Sequence, residues 1–327
     1  MDLPPATLRL DGLVGALAFV AGTPRKCDDP RPPGGPGWDW LHYDIAHSGA
    51  RAAIEAEAGF PPFILRLLVG PEETPRIVTD GRAVAGVLPS FIRSTGPDVY
   101  KIAWWRFAML PDRIITCRRH PVRVLTAVWD GIGAGHVPDG PVALLDAAIA
   151  EFAREARRRV ATLDEELDLA EDALLDRHGA ADLGGLGTRL GQARREVTTI
   201  KRALTPLARL LAADAEELPA WTMRASHETA HSAVVGTLDD IGALHDRARS
   251  LQDELAARQA DETNRRLYIV SIVTTVVMPA ALLTGFFGMN TGGLPWQSHG
   301  LGTVYATTLC VLAMLGTFIV LRWKRLL

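Results

Sequence analysis

The chain is poor in cysteine. Among 327 residues only Cys27, Cys117 and Cys310 occur, with no CxxC spacing between any two. So sparse and odd a set excludes a disulfide framework and a cysteine zinc site, and it suits a reducing compartment. An excess of charge of one sign is lacking too. The net charge is −3, from 35 Lys and Arg against 38 Asp and Glu, which removes the basic footprint of a nucleic-acid binder, so no nucleic-acid partner is expected. No internal repeat is present. With 48% hydrophobic and 22% charged residues, the composition excludes wholesale disorder. Residues 12–21 are weakly flanked for a secretory leader, with Asp11 at their edge and Arg9 before them. They read as a buried strand, and the chain is expected to begin in the cytoplasm.

The apolar residues that are present concentrate at the C-terminus. Residues 267–287 and 303–321 contain no Lys, Arg, Asp or Glu. At 1.5 Å per residue each run reaches ~30 Å, the thickness of a bilayer's hydrocarbon core. Arg265 and Arg266 precede the first run, Arg322, Lys324 and Arg325 follow the second, and residues 290–302 carry no charged side chain. The positive-inside rule then places both termini in the cytoplasm and the short loop in the periplasm, making a multi-pass protein of the inner membrane in contact with lipid. Tyr268, Trp296, Tyr305 and Trp323 fall where aromatic rings favour the interfaces.

Upstream, residues 1–140 read as a cytoplasmic α/β domain. Residues 63–69 are a strand candidate. Residues 77–78 and 84–92 flank Asp80-Gly81, and residues 101–110 and 113–118 flank Pro111-Asp112, two hairpin patterns. Residues 30–37 and 131–141 are loops. Residues 141–219 form a helical hairpin, with Leu163, Leu167, Ala170 and Leu174 at helical spacing, the turn at Gly184-Gly185-Leu186-Gly187, and a second helix from 188 to 211 bent near Pro206. From Ala220 to Phe287 the only proline is Pro279, and Leu238, Ile241, Leu244, Ala248, Leu251 and Leu255 keep an apolar stripe. This predicts one helix of about 65 residues: a cytoplasmic stalk over 220–266 continuous with a first transmembrane helix over 267–289. So long a helix needs lateral partners. The loop (290–302), a second transmembrane helix (303–321) and a basic cytoplasmic tail (322–327) complete the chain.

The first span ends in Gly288-Met289-Asn290, followed by Thr291-Gly292-Gly293-Leu294-Pro295 and a second span at the chain's end. With Glu72-Glu73-Thr74-Pro75-Arg76, Trp105-Arg106-Phe107, Asp112-Arg113-Ile114-Ile115-Thr116 and Leu204-Thr205-Pro206, this arrangement resembles the CorA superfamily of divalent-cation transporters, in its zinc-transporting branch. The resemblance implies an α+β cytoplasmic domain, a long stalk helix, two C-terminal transmembrane helices, and a homopentamer with a pore lined by the first span. It implies transport rather than enzymatic catalysis. Zn2+ is the transported ion, Mg2+, Co2+, Ni2+ and Cd2+ are further candidates, proton coupling is open, and no bound cofactor is expected. Gly288, Met289 and Asn290 are the carried-over selectivity residues. The alternative within the family is a magnesium or cobalt channel.

Residue spacing supports a pore. Asn264, Leu267, Val270 or Ser271, Thr274, Met278, Ala281 and Gly285 recur every three or four residues and share one helical face. Small and hydroxyl residues of that kind also mark ordinary helix contacts in membranes. At the mouth, the Asn290 amide and the Gly288 and Met289 carbonyls would make a ring of neutral oxygens, suited to a hydrated divalent ion. Asn290 is equally a candidate helix C-cap. The loop lacks acidic residues, and His299 is the nearest group there that titrates near neutral pH.

His227-Glu228-Thr229-Ala230-His231 matches HExxH, in which two histidines one turn apart bind zinc and the glutamate activates water. Val234 and Thr237 stand where the longer metzincin form needs Gly and His. A membrane-anchored zinc peptidase, a solvated stalk face and a cytoplasmic zinc site on His227, His231 and His245 are the three readings.

Overall fold

The computed structural model describes residues 11–27, 37–56, 59–71, 73–92, 101–175, 183–212, 218–224, 228–289, 294–296 and 300–324. Two compact units divide the chain, Met1–Gln252 and Asp253–Leu327.

Seven strands form the sheet of the first unit: β1 (Leu13–Val20), β2 (Thr23–Lys26), β3 (Trp38–Asp44), β4 (Arg76–Thr79), β5 (Val84–Phe91), β6 (Ile102–Leu110) and β7 (Arg113–Arg118). Their spatial order is β2-β1-β3-β7-β6-β5-β4. Only β3 and β7 pair parallel; the other pairings are antiparallel. Both expected hairpins form, β4 with β5 and β6 with β7. At the first, Asp80 accepts from the Arg82 and Ala83 amides at 3.0 and 2.7 Å, and Gly81 takes φ +85°, which only glycine adopts without steric cost. Residues 12–21 do contain a buried strand, β1.

Residues 63–69 are not a strand. They form helix α2 (Pro62–Val69), after the short α1 (Ala50–Glu55). Pro62 occupies the first helical turn, where a missing N–H costs nothing. Ile64, Leu67 and Leu68, at helical spacing, enter the core that α1 and α2 build with Leu41, Ala85, Val87, Ala108 and Ile115. The opposite sheet face meets α3 (Arg123–Gly133) and α4 (Pro141–Leu175), with Phe91 and Phe152 rings 5.2 Å apart.

Helix α5 runs from Leu183 to Ala212 with Pro206 inside it. Gly184-Gly185-Leu186-Gly187 therefore lies in the first turns of a helix and not in a turn between helices. A 3₁₀ turn (Ala220–Arg224) precedes helix α6 (Glu228–Phe287), 60 residues long with Pro279 within it. The expected helix beginning at Ala220 thus starts instead at Glu228. Within the first unit α6 buries Ile241, Leu244, Ala248 and Leu251. It is fastened to α4 by Arg157 to Asp240 at 2.9 Å and by Arg247, which reaches Asp164, Asp168 and Glu171 at 2.7, 2.5 and 2.6 Å. Helix α7 (Gly302–Trp323) closes the described chain.

Candidate functional site

The second unit holds the end of α6 and all of α7, both long and apolar enough to cross a membrane, with mean hydropathy 2.0 and 2.2 over their most apolar stretches. Each residue of an α-helix turns ~100° from the last. On that wheel Asn264, Leu267, Val270, Ser271, Thr274, Met278, Ala281 and Gly285 lie within ~60° of one direction, and all of them are exposed. The half-buried positions Ile272, Val276, Pro279, Ala280, Leu283 and Phe287 centre ~170° away. Those are the positions that α7 covers: its seam of Gly302, Ala306, Cys310, Ala313, Met314 and Thr317 is likewise shielded, and the Cys310 thiol lies 3.8 Å from the Ala280 carbonyl. The candidate pore stripe thus faces directly away from α7.

Thr274 donates its hydroxyl hydrogen to the Val270 carbonyl at 2.8 Å. Its oxygen lone pairs remain outward on the stripe, an uncharged acceptor. Thr275 and Thr284 make the same backbone bond, to Ser271 and Ala280.

At the end of α6, Gly288 N–H donates to the Thr284 carbonyl at 2.9 Å and Met289 N–H to Phe286 at 3.4 Å. Backbone donors therefore satisfy two of the last carbonyls without a side chain. Asn290 lies outside the described residues, so Gly288 and Met289 are the described part of the motif. Beyond it an aromatic stack joins the two helices. Phe287 and Trp296 are 6.0 Å apart and inclined by 20°, and Trp296 meets Tyr305 at 5.8 Å. Trp296 adopts φ +65°, an uncommon conformation for a bulky residue. A Cβ on Gly302 would stand 2.5 Å from the Trp296 carbonyl oxygen, so the turn requires glycine there. Trp296, expected as an interfacial anchor, also stacks on Phe287 and Tyr305, partners with no sequence signal beyond being aromatic.

Of the three stalk histidines, His231 and His245 are the described ones, and they stand apart. His227 lies outside the described residues. His231 and His245, both half-buried, are 14 positions apart on α6, a rise of ~21 Å, too far to share one ion. Val234 is fully buried, and Thr237 is 1% exposed with its hydroxyl donating to the Ala233 carbonyl at 2.7 Å. Among the described residues no group of three His, Cys, Asp or Glu side chains could hold a metal ion.

In the sheet, His42 is buried beside Thr116, its Nδ1 2.9 Å from the hydroxyl oxygen, which also accepts the Trp40 indole N–H at 2.8 Å. Burial first, and the Arg118 charge second, lower its pKa to about 3, so the ring is neutral at pH 7. Burial likewise pushes the Cys117 thiol far up, leaving it an inert thiol.

The chain resembles known proteins over most of its length. The chain is 25% identical over 290 residues to a zinc transport protein ZntB of Yersinia enterocolitica, covering 85% of this chain and 84% of the relative. It is 28% identical over 270 residues to a ZntB of Klebsiella pneumoniae, covering 80% of each. Among solved structures, full-length CmaX superposes with a TM-score of 0.77 at 20% identity, over 97% of this chain and 98% of that one. The complete CorA magnesium transporter of Methanocaldococcus jannaschii gives 0.75 at 16% identity, over 94% and 98%. The fold is therefore CorA-like. With a match to the CorA-like Mg2+ transporter protein family running over residues 35–325, the chain belongs to that family of transporters and is not an enzyme.

Proposed function

We propose that the chain is a divalent-cation transporter that passes Zn2+ across the inner membrane through a homopentameric pore lined by α6. The observation that carries this reading is the placement of the Asn264-to-Gly285 stripe. It is exposed over its whole length, opposite the face that α7 covers, and it leads to Gly288 and Met289. Copies of α6 turned stripe-inward, with α7 outside against lipid, would enclose an uncharged tube of small, hydroxyl and apolar groups. Asn290 and the last carbonyls would close its outer mouth. Neutral oxygens there accept hydrogen bonds from an ion's water shell without trapping the ion.

The choice of Zn2+ rests on the relatives named as zinc transport proteins, which match over four-fifths or more of the chain. Cytoplasmic termini follow from the basic flanks of both spans. Any proton coupling would have to use His299 or groups outside the spans, since 267–321 contains no Asp, Glu, Lys or Arg.

The test is flux into liposomes loaded with a zinc-sensitive or a magnesium-sensitive dye, with and without a pH gradient. Zn2+ entry that Mg2+ neither matches nor blocks is expected. Mg2+ entry without Zn2+ entry would make the protein a magnesium channel, and no entry of either ion would end the transport reading.

A further inference from the structure

A surface cleft of about 880 Å3 opens in the unit Met1–Gln252, between the start of β6 and helices α4 and α5. That volume suits a small organic ligand. Among the described residues five basic side chains line it, Lys101, Arg106, Arg119, Arg159 and Arg195, against three acidic ones, Glu73, Glu166 and Glu196. Two of the acids are already engaged. Arg159 donates to both Glu196 oxygens at 2.6 and 2.8 Å and to Glu166 at 3.2 Å, and this ion cluster holds α4 to α5 as part of the wall. Among the described residues, Glu73 is the remaining acid at the cleft. Arg106, 2% exposed, belongs to the wall itself. Lys101, Arg119 and Arg195 are exposed arms from three different segments, and among the described residues none of them is in an ion pair.

A positive cleft on a chain of net charge −3 is a local feature rather than the general character of the surface. Clustered like charges in a concave site repel one another and focus a field that attracts anions. Arginine forks match phosphate oxygens two at a time, and three arms at separated points suit a chain of phosphates better than a single one. Trp104, half-buried at the same cleft, offers a flat apolar surface beside them.

We propose that this cleft binds a soluble anion carrying a di- or triphosphate group, held by Lys101, Arg119 and Arg195 over Arg106. The assignment goes beyond cation transport and does not depend on it.

The test is isothermal titration of the full-length protein in detergent, in metal-free buffer so that chelation by phosphates cannot mimic binding. Tripolyphosphate and ATP are the two probes. Saturable binding near one ligand per chain is expected. Arg119→Ala with Arg195→Ala should weaken it at least about tenfold at unchanged melting temperature. Arg258→Ala, a surface arginine paired with Glu254, should leave it unaltered. ATP binding tighter than tripolyphosphate, with the advantage lost in Trp104→Leu, identifies a nucleotide. Equal affinities identify an inorganic polyphosphate. Failure of both probes to saturate, or a double arginine variant that binds as well as the parent, overturns the proposal.

Discussion

His42 is a titratable group placed where its charged form has no solvation. Its folded pKa of about 3 lies below the ordinary 6.5, so the unfolded chain binds the extra proton first as pH falls. The stabilising effect of the neutral ring is complete above pH 6.5 and is lost on the way down to 3. Melts of the solubilised protein should lose ~2 kcal/mol between pH 6.5 and 5, at ~1.4 kcal/mol per pH unit. His42→Gln, which keeps a polar group near Thr116, should flatten that slope, and an equal slope in both proteins would remove His42 from the account. Also at this scale, Asn290→Ala should abolish Zn2+ flux in the liposome assay with the assembly intact by gel filtration. Unchanged flux would exclude the Asn290 amide from the mouth.

Helix α6 is anchored on the first unit by Arg247. Its three acidic partners, Glu171 foremost, then Asp168 and Asp164, raise the guanidinium's pKa. Because the arginine is one-third exposed, solvent screens much of that gain. Arg247→Ala should cost ~1 kcal/mol, as a drop in melting temperature that shrinks in high salt, while three carboxylates are left facing one another. Between α6 and α7, Trp296→Ala removes the stack on Phe287 and Tyr305. It is expected to lower Zn2+ flux several-fold, with Trp296→Phe restoring most of it. At the scale of elements much was legible in advance. The spans declared themselves by length, and the hairpins by Asp80-Gly81 and Pro111-Asp112. Residues 63–69 misled because a short apolar run fits either period, and the deciding feature was a proline pair at its start. Glycines 184, 185 and 187 misled because a helix tolerates in its opening turns what usually marks a break.

For the whole molecule, the stripe could be read from a 3.6-residue period, but not the face that α7 takes. Nearly every neighbouring position is apolar, so only packing separates Val276 from Thr274. The basic cleft had no local signal at all, since its lining comes from segments far apart in the chain: the start of β6, Arg119 and His120 after β7, α4 and α5. Cysteine substitution distinguishes the two faces of α6. With Cys310 replaced by Ala, Thr274→Cys should react with a water-soluble thiol reagent and lose flux, whereas Val276→Cys should resist. The reverse pattern would turn the pore inside out. The bond from Thr274 to the Val270 carbonyl has a further consequence. Its hydrogen is already spent, so a water molecule resting against it must turn a hydrogen toward the wall and its own oxygen toward the axis. Repeated around a ring, that orientation makes an electrically neutral lining favour a positive traveller over a negative one.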